Sequence, residues 1–394
     1  MKYTVNLIIF LSILISGSVL VKNFGDDLFL IGLFLTVLYL FAKCEKNIVN
    51  IPYYFILVFM IFLHSLFFLE SAYAYIGLLL LLTTALLLSN VVNANNFWLR
   101  YVKIMYFISV ASLIGFITIN SLPESLVHLV STKFILKDLG ADSIRYHNLF
   151  FINWPYDHKE GQLIRNASIF WEPGAYQFFI NLALILNIRL SKSVVNKYNI
   201  IFVVCVLTTF STTGYLVLLL ILMDQLFSEK YYKSRSEYLF YFLLFIFAAY
   251  LLFNSSIVQD KFGDNNIKSS FALRLYDQVI LLSIFFENIF FGIGYGSESI
   301  YYIQDFSLNN YGLLSRGGSN SFLRLYVQFG ILISTLYFSP LLYRNNGFMN
   351  LNLTFLAIIL IWLSTEFFVT APIFIFLLFI RINRLDYSSA NNFN

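Results

Sequence analysis

Long apolar stretches alternate with short polar connections along almost the whole chain. A membrane-spanning helix needs about 20 mostly apolar residues. Stretches of this kind lie near residues 4–21, 28–42, 51–69, 73–91, 102–120, 174–190, 198–228, 237–254, 321–343 and 351–380. The pattern therefore predicts an all-α, polytopic integral membrane protein.

The stretches 198–228 and 351–380 are too long for one crossing and too short for two full ones. Each corresponds to roughly 45 Å of helix, whereas the hydrocarbon core of a bilayer is about 30 Å thick. Short loops rich in Lys and Arg stay in the cytoplasm. The basic residues after each stretch, such as Lys233 and Arg381, return to that side only if each stretch is a hairpin of two short helices. We therefore predict about twelve crossings, with both termini cytoplasmic and Arg344 on the cytoplasmic side.

The two predicted hairpins carry polar residues at their tips, Ser211 and Thr212 in the first and Glu366 in the second. Arms of about 15 residues, or roughly 22 Å, place the tips below the outer surface of the bilayer. Irregular polar backbone at that depth is tolerated where protein or water surrounds it. The tips are therefore predicted to line a cavity open to the outside. The alternative is a pair of turns that bond only to their own helices.

Composition supports a membrane protein. The chain is 59% hydrophobic and only 12% charged, whereas soluble domains are about 25% charged. Its formal net charge of +4 is typical of Lys and Arg in cytoplasmic loops and does not indicate a nucleic-acid partner. We predict a single membrane domain, residues 1–394, with long extracytoplasmic segments at about 121–172 and 255–320.

Three arginines of these segments, Arg165, Arg274 and Arg316, lie close to points where a loop meets the membrane. A guanidinium at headgroup level binds phosphate oxygens in a fork geometry. Each arginine alone is consistent with simple lipid anchoring, but three on one side favour a phosphate or diphosphate site. Arg145 and His147, in the first segment, are further candidates for contacting a substrate.

The stretch "RNASIFWEPGAYQFF", residues 165–179, predicts the start of a helix. Pro173 suits the first helical turn, and Glu172 then lies at the positive end of the helix. Arg165 is a short loop away, within reach of Glu172 or of a bound anion. Two interpretations stay open: a capping carboxylate with a salt bridge, or a carboxylate that orients or deprotonates a substrate hydroxyl.

Glycines and one asparagine mark two further places. Gly292, Gly294 and Gly296 permit a tight turn or a close approach to a ligand. Asn320 either caps the helix that follows it or binds an anion at the helix start. The sequence has no Walker lysine loop and no zinc-ligand spacing, so we predict no metal and no cofactor.

Several short motifs follow one another in a fixed order between residues 165 and 340. They are "RNASIFWEPGA" (165–175), "TFSTTGYLVLLL" (209–220), "LRLYDQ" (273–278), "NIFFGIGYG" (288–296) and "SNSFLRLYVQFGILISTLYF" (319–338). This ordered set resembles the bacterial O-antigen polymerase and exopolysaccharide polymerase family (Wzy-type), which is related to the O-antigen ligases. Ligases tend to carry His-Asn where this chain has Ser319 and Asn320, which favours a polymerase.

The resemblance implies a membrane glycosyltransferase in the bacterial inner (cytoplasmic) membrane. It would transfer a growing glycan from undecaprenyl diphosphate onto a new lipid-linked repeat unit on the periplasmic face, without a cofactor. Its partners would be the undecaprenyl-diphosphate-linked oligosaccharide and membrane lipids, with a chain-length regulator left open. Glu172 is then the candidate catalytic base. The candidate substrate-binding residues are Arg165, Arg274, Arg316, Asn320, Ser211, Thr212, Arg145, His147 and Glu366.

Other functions remain as alternatives. An O-antigen ligase would use the same lipid-linked donor with a different acceptor. A flippase or another transporter would also have about twelve helices, but its connecting loops are usually short, and the long outer segments argue against this class. An acyltransferase would require a His-centred motif at the membrane.

Overall fold

The structure is a computed structural model of the 394-residue chain. It describes residues 2–19, 21, 26–44, 51–69, 72–123, 126, 131–135, 145–149, 152–155, 163–191, 195–226, a few positions between 239 and 250, and residues 270–311, 320–342, 353–366 and 368–380.

Apolar helices make up most of the described chain. They are α1 (Lys2–Ile15), α2 (Asp26–Lys43), α3 (Ile51–Phe67), α4 (Ala72–Ser89), α5 (Ala94–Ser121), α6 (Pro173–Ser191), α7 (Lys197–Thr208), α8 (Thr212–Leu226), α9 (Ser270–Glu287), α10 (Ser297–Tyr311), α11 (Ser321–Leu342), α12 (Leu353–Thr365) and α13 (Pro372–Phe379). Most of them coincide with the predicted apolar stretches, whereas α9 and α10 fall within the segment at about 255–320 that was predicted to be extracytoplasmic.

By length and composition alone, α4, α5 and α11 are suited to cross a membrane, although α11 reverses direction within its length. Large apolar side chains are also exposed on the shorter helices. On α3, for example, Phe55, Phe59 and Phe62 are all more than half exposed, as expected of a surface that faces lipid. These features agree with an all-α membrane protein. The predicted number of about twelve crossings stays a prediction.

Both overlong stretches are interrupted within the predicted tips. α7 ends at Thr208 and α8 begins at Thr212, and the Tyr215 hydroxyl donates across this break to the Leu207 carbonyl at 2.8 Å. The two arms contact each other, and both contact α6. The second interruption separates α12 from α13, which begins with Pro372 at its first turn. Here α12 packs on α11, whereas α13 packs on α4 and α11.

α11 reverses direction at Gly330, whose backbone is non-helical (φ 69°, ψ −178°). The Ser334 hydroxyl donates to the Leu325 carbonyl at 2.9 Å, although a straight helix would separate these residues by about 13 Å along its axis. The rings of Phe322 and Phe338 are likewise only 5.3 Å apart. α11 is therefore a hairpin of two short arms, where the sequence predicted a single crossing.

The tip of this hairpin packs on the glycine-rich segment 288–296. The Ile331 N–H donates to the Ile289 carbonyl at 2.8 Å. A Cβ at Gly330 would collide with the Phe290 carbonyl, and Gly330 also has a positive φ that favours glycine. The glycines thus permit a close backbone approach, and the approaching backbone belongs to α11.

Part of the first predicted extracytoplasmic segment forms a three-stranded antiparallel sheet. Its strands are β1 (Thr132–Ile135), β2 (Arg145–Leu149) and β3 (Ile152–Pro155), in the order β1-β2-β3. The Asn153 side chain donates to the Ser168 carbonyl at 3.0 Å and ties the sheet to the segment before α6. The all-α prediction did not include this sheet, because its strands lie outside the predicted apolar stretches.

Contacts within the chain divide it into two compact units. The Arg165 unit comprises Lys2–Phe29 and Phe97–Asp260, and the Arg274 unit comprises Leu30–Asn96 and Lys261–Asn394. Each unit is assembled from two separate parts of the chain. The single membrane domain covering residues 1–394 stays a prediction.

Candidate functional site

In the Arg165 unit, the segment before α6 lies against the end of α7. The backbone N–H of Asn166 donates to the Thr208 carbonyl at 3.1 Å. Next to it, the Arg165 guanidinium donates through Nε to the Thr209 carbonyl at 3.0 Å and through Nη2 to the Phe210 carbonyl at 2.9 Å. The last carbonyls of a helix lack partners within the helix, and a cation there is favoured by the helix dipole. Arg165 therefore stabilises the interruption between α7 and α8.

Arg165 is partly buried, and its charge interacts with that of Glu172. Burial lowers the pKa of the guanidinium, whereas the negative charge of Glu172 acts to raise it. The hydrogen bonds described for Arg165 use two of its five N–H donors. The remaining donors allow a second partner such as a phosphate oxygen.

Glu172 directly precedes α6, which begins at Pro173 as predicted. Its carbonyl accepts the Tyr176 N–H at 3.2 Å, and its partly exposed side chain lies at the positive end of the helix. The structure thus brings Glu172 into the electrostatic environment of Arg165. The role of Glu172 as a catalytic base stays a prediction.

Ser211 and Thr212 lie at the same interruption. The Ser211 hydroxyl is buried and accepts the Gly214 N–H at 3.3 Å, so that Ser211 caps α8. Phe210, whose carbonyl binds Arg165, has a positive φ of 47°, which turns the chain sharply between the arms. Three predicted site residues, Arg165, Ser211 and Thr212, are therefore assembled around one turn.

In the Arg274 unit, Arg274 of α9 pairs with Glu366 in the interruption between α12 and α13. The distance between Arg274 Nη2 and Glu366 Oε1 is 3.4 Å, and the side chains are 33% and 10% exposed. This is a single long contact, unlike the bidentate fork that gives the strongest arginine–carboxylate pairs. Both residues were predicted as site residues, but nothing in the sequence indicated that they pair.

Ser321 fixes the backbone around Glu366. The Ser321 hydroxyl donates to the Glu366 carbonyl and accepts the Phe368 N–H at 3.0 Å. The side chain of Asn320 accepts the Leu323 N–H at 3.0 Å and caps α11, which is the structural one of its two predicted roles. Ser321 was not predicted from the sequence. The one feature that could have indicated its role is its position next to Asn320, in the first turn of α11.

The other predicted residues lie elsewhere or are not described. Arg316 lies outside the described residues, as does the side chain of Arg145, whose backbone begins β2. His147 lies on β2, is buried, and has its Nδ1 2.8 Å from the Ser131 hydroxyl. Its substrate-binding role stays a prediction.

Each unit therefore presents an arginine and a carboxylate at an interruption between apolar helices. Such an arrangement can bind an anion and accept a proton. Within the described part of the chain, no three His, Cys, Asp or Glu side chains come together as a metal site. Comparison of the chain with protein families, curated proteins and solved structures finds no match.

Proposed function

We propose that this protein is a membrane glycosyltransferase that polymerises a lipid-linked polysaccharide, as an O-antigen or exopolysaccharide polymerase does. One observation carries the proposal. The side chains of Arg165 and Arg274, which are predicted to bind diphosphate, both contact breaks between apolar helices, and each lies near a carboxylate. The ordered motifs between residues 165 and 340 supply the class of reaction.

The chemistry requires only groups that these sites contain. A hydroxyl of the acceptor sugar attacks the anomeric carbon of the donor glycan, the bond from that carbon to the diphosphate oxygen breaks, and the lipid diphosphate leaves. Guanidinium groups stabilise the negative charge that develops on the leaving group. A carboxylate, with Glu172 as the candidate, accepts the proton of the attacking hydroxyl.

The location of the reaction and the topology of the chain in the membrane are those predicted from the sequence. The donor and the acceptor are both glycans on undecaprenyl diphosphate, and the reaction takes place on the periplasmic face of the bacterial inner membrane. Both termini are cytoplasmic in a topology of about twelve crossings. The substrate sites at the helix interruptions 209–211 and 366–371 are reached from the periplasmic side.

Surface polysaccharide from a strain lacking the gene tests the proposal. Complementation with the wild type restores long chains on a gel, whereas Arg274→Ala and Glu172→Gln leave single capped units. Loss of one transition-state donor slows such reactions about 100- to 1,000-fold. Lys103→Gln removes a positive charge from an exposed position of α5 and serves as the control, with normal chain lengths expected.

Two results would contradict the proposal. Long chains of normal distribution from both site variants would remove the assigned roles of Arg274 and Glu172. Complete loss of attached glycan in the deletion strain, without a single remaining unit, would identify a ligase instead.

A further inference from the structure

Arg324 lies in the first arm of α11, one helical turn after Ser321. Its backbone N–H donates to the Asn320 carbonyl at 2.9 Å, so the chain is helical at this point. Helical residues three positions apart lie on the same face, about 5–6 Å from each other. Because Ser321 contacts the backbone of Glu366 and Phe368, Arg324 lies on the face of α11 that borders the interruption at residues 366–371.

Tyr295 connects Arg324 to the same interruption. The Tyr295 side chain hydrogen-bonds to the side chain of Thr370 and interacts electrostatically with Arg324. Its backbone N–H donates to the Tyr75 hydroxyl at 3.1 Å, which holds Tyr295 in place. Arg324 is thus connected to the residues around Glu366 in two independent ways, through Ser321 and through Tyr295.

Arg274 and Arg324 are both partly buried. The side chain of Arg274 is 33% exposed, whereas the Nε atom of Arg324 is inaccessible to solvent. Charged residues in apolar membrane helices are costly, and they usually mark functional sites. The position of Arg324, partly buried on an apolar helix, therefore makes it a candidate for contacting an anionic ligand.

We propose that Arg324 is a second guanidinium of the site formed by Arg274 and Glu366, and that the two arginines together select a lipid diphosphate over a lipid monophosphate. This inference rests on the proposed function. A diphosphate carries two phosphoryl groups, and each offers oxygens in the geometry that one guanidinium fork matches. A monophosphate has one phosphoryl group and binds only one guanidinium, so the second arginine increases the affinity for the diphosphate alone.

Lipid binding to the purified full-length protein in nanodiscs tests the inference. The probes are undecaprenyl monophosphate and undecaprenyl diphosphate, and native mass spectrometry measures their relative occupancy. The wild type is expected to prefer the diphosphate at least about tenfold. Arg324→Gln is expected to reduce this preference to about twofold while monophosphate binding stays the same. Lys103→Gln should behave as the wild type.

A second variant separates binding from folding. Arg324→Lys retains the charge but not the fork, and an intermediate preference of about threefold is expected. Wild-type preference in the folded Arg324 variants overturns the inference and leaves the proposed function standing. Unfolding of both variants beside an intact Lys103→Gln protein also overturns it, since Arg324 is then a structural residue. A wild-type protein that binds neither lipid contradicts the proposed function itself.

Discussion

At the scale of single residues, His64 shows how a polar group within an apolar helix is held by specific partners. His64 of α3 is buried, with Nδ1 2.7 Å from the Tyr75 hydroxyl and Nε2 2.6 Å from the Phe291 carbonyl. A carbonyl only accepts, so Nε2 carries the proton and Nδ1 accepts from Tyr75. This arrangement anchors the glycine-rich segment to α3 and α4.

Replacing His64 by Phe should destabilise the protein. The substitution leaves the Tyr75 hydroxyl and the Phe291 carbonyl without their buried partner, and each unsatisfied group costs about 1–3 kcal/mol. Thermal unfolding in detergent should show a clearly lower midpoint. Ser65→Ala is the matched control, because Ser65 is a neighbouring residue whose hydroxyl bonds only within α3. Equal midpoints for the two variants would contradict the anchoring role.

Glu366 partly neutralises Arg274, so its charge should oppose the binding of an anion. In Glu366→Gln the contact of Ser321 with the carbonyl of residue 366 is retained, because that contact is to the backbone. The affinity for inorganic pyrophosphate should rise about threefold to tenfold at low salt, as expected for a partly exposed ion pair. High salt should reduce this gain by screening.

Isothermal titration of the purified protein measures this change. Glu298→Gln is the control for loss of one negative charge, because Glu298 is an exposed residue of α10 in the same unit. A similar gain in both variants would show a general charge effect and contradict a specific role for Glu366.

At the scale of elements, the interruptions of the helices were partly predictable. The lengths of 198–228 and 351–380 did not suit whole crossings, and the polar tips marked where each would break. The reversal of α11 at Gly330 was not predictable, because its apolar run has the right length for one crossing. The hairpin depends on the long-range packing of residues 288–296 against Gly330, which a single sequence does not reveal.

Gly330→Ala should prevent the hairpin from closing. Its φ and ψ lie in a region that is almost restricted to glycine, where another residue costs about 1–3 kcal/mol, and the added Cβ collides with the Phe290 carbonyl. Gly32→Ala is the matched control, because a Cβ at Gly32 of α2 meets open space. That change should be neutral or stabilising by up to about 1 kcal/mol.

Folded yield on size-exclusion chromatography and the unfolding midpoint measure the difference between these two glycine variants. We expect a large loss for Gly330→Ala and none for Gly32→Ala. Two well-folded proteins of similar midpoint would contradict the reversal at Gly330.

At the scale of the whole molecule, composition alone predicted the membrane class. The sheet was not predicted, because its strands lie between the apolar stretches. The pairing of Arg274 with Glu366 joins residues that are 92 positions apart, and single-sequence patterns carry no information on such contacts. The local feature before α6, with Glu172 and Pro173, was predictable because helix starts depend on neighbouring residues.

From the reversal at Gly330 we predict a topology that differs from the one predicted from the positions of Lys and Arg. A hairpin enters and leaves on one side, so the loop containing Arg344 should be periplasmic. The stretch 353–379 must then cross the membrane once to return Arg381 to the cytoplasm.

Reporter fusions after residues 233, 347 and 394 measure this topology, with periplasmic phosphatase activity expected only at 347. A cytoplasmic fusion at 347 would contradict the hairpin, and a periplasmic fusion at 233 would contradict the predicted hairpin over 198–228.

The interleaving of the two units has a consequence for how the protein is made. The ribosome completes Leu30–Asn96 long before it begins Lys261–Asn394, although both belong to the same unit. At about 5–20 residues per second, the early helices wait on the order of 10 s for their partners. During this interval the helices of Leu30–Asn96 lack the packing that Lys261–Asn394 later provides. A chain truncated near residue 260 would therefore contain the helices of Leu30–Asn96 without their packing partners and become a substrate for membrane proteases.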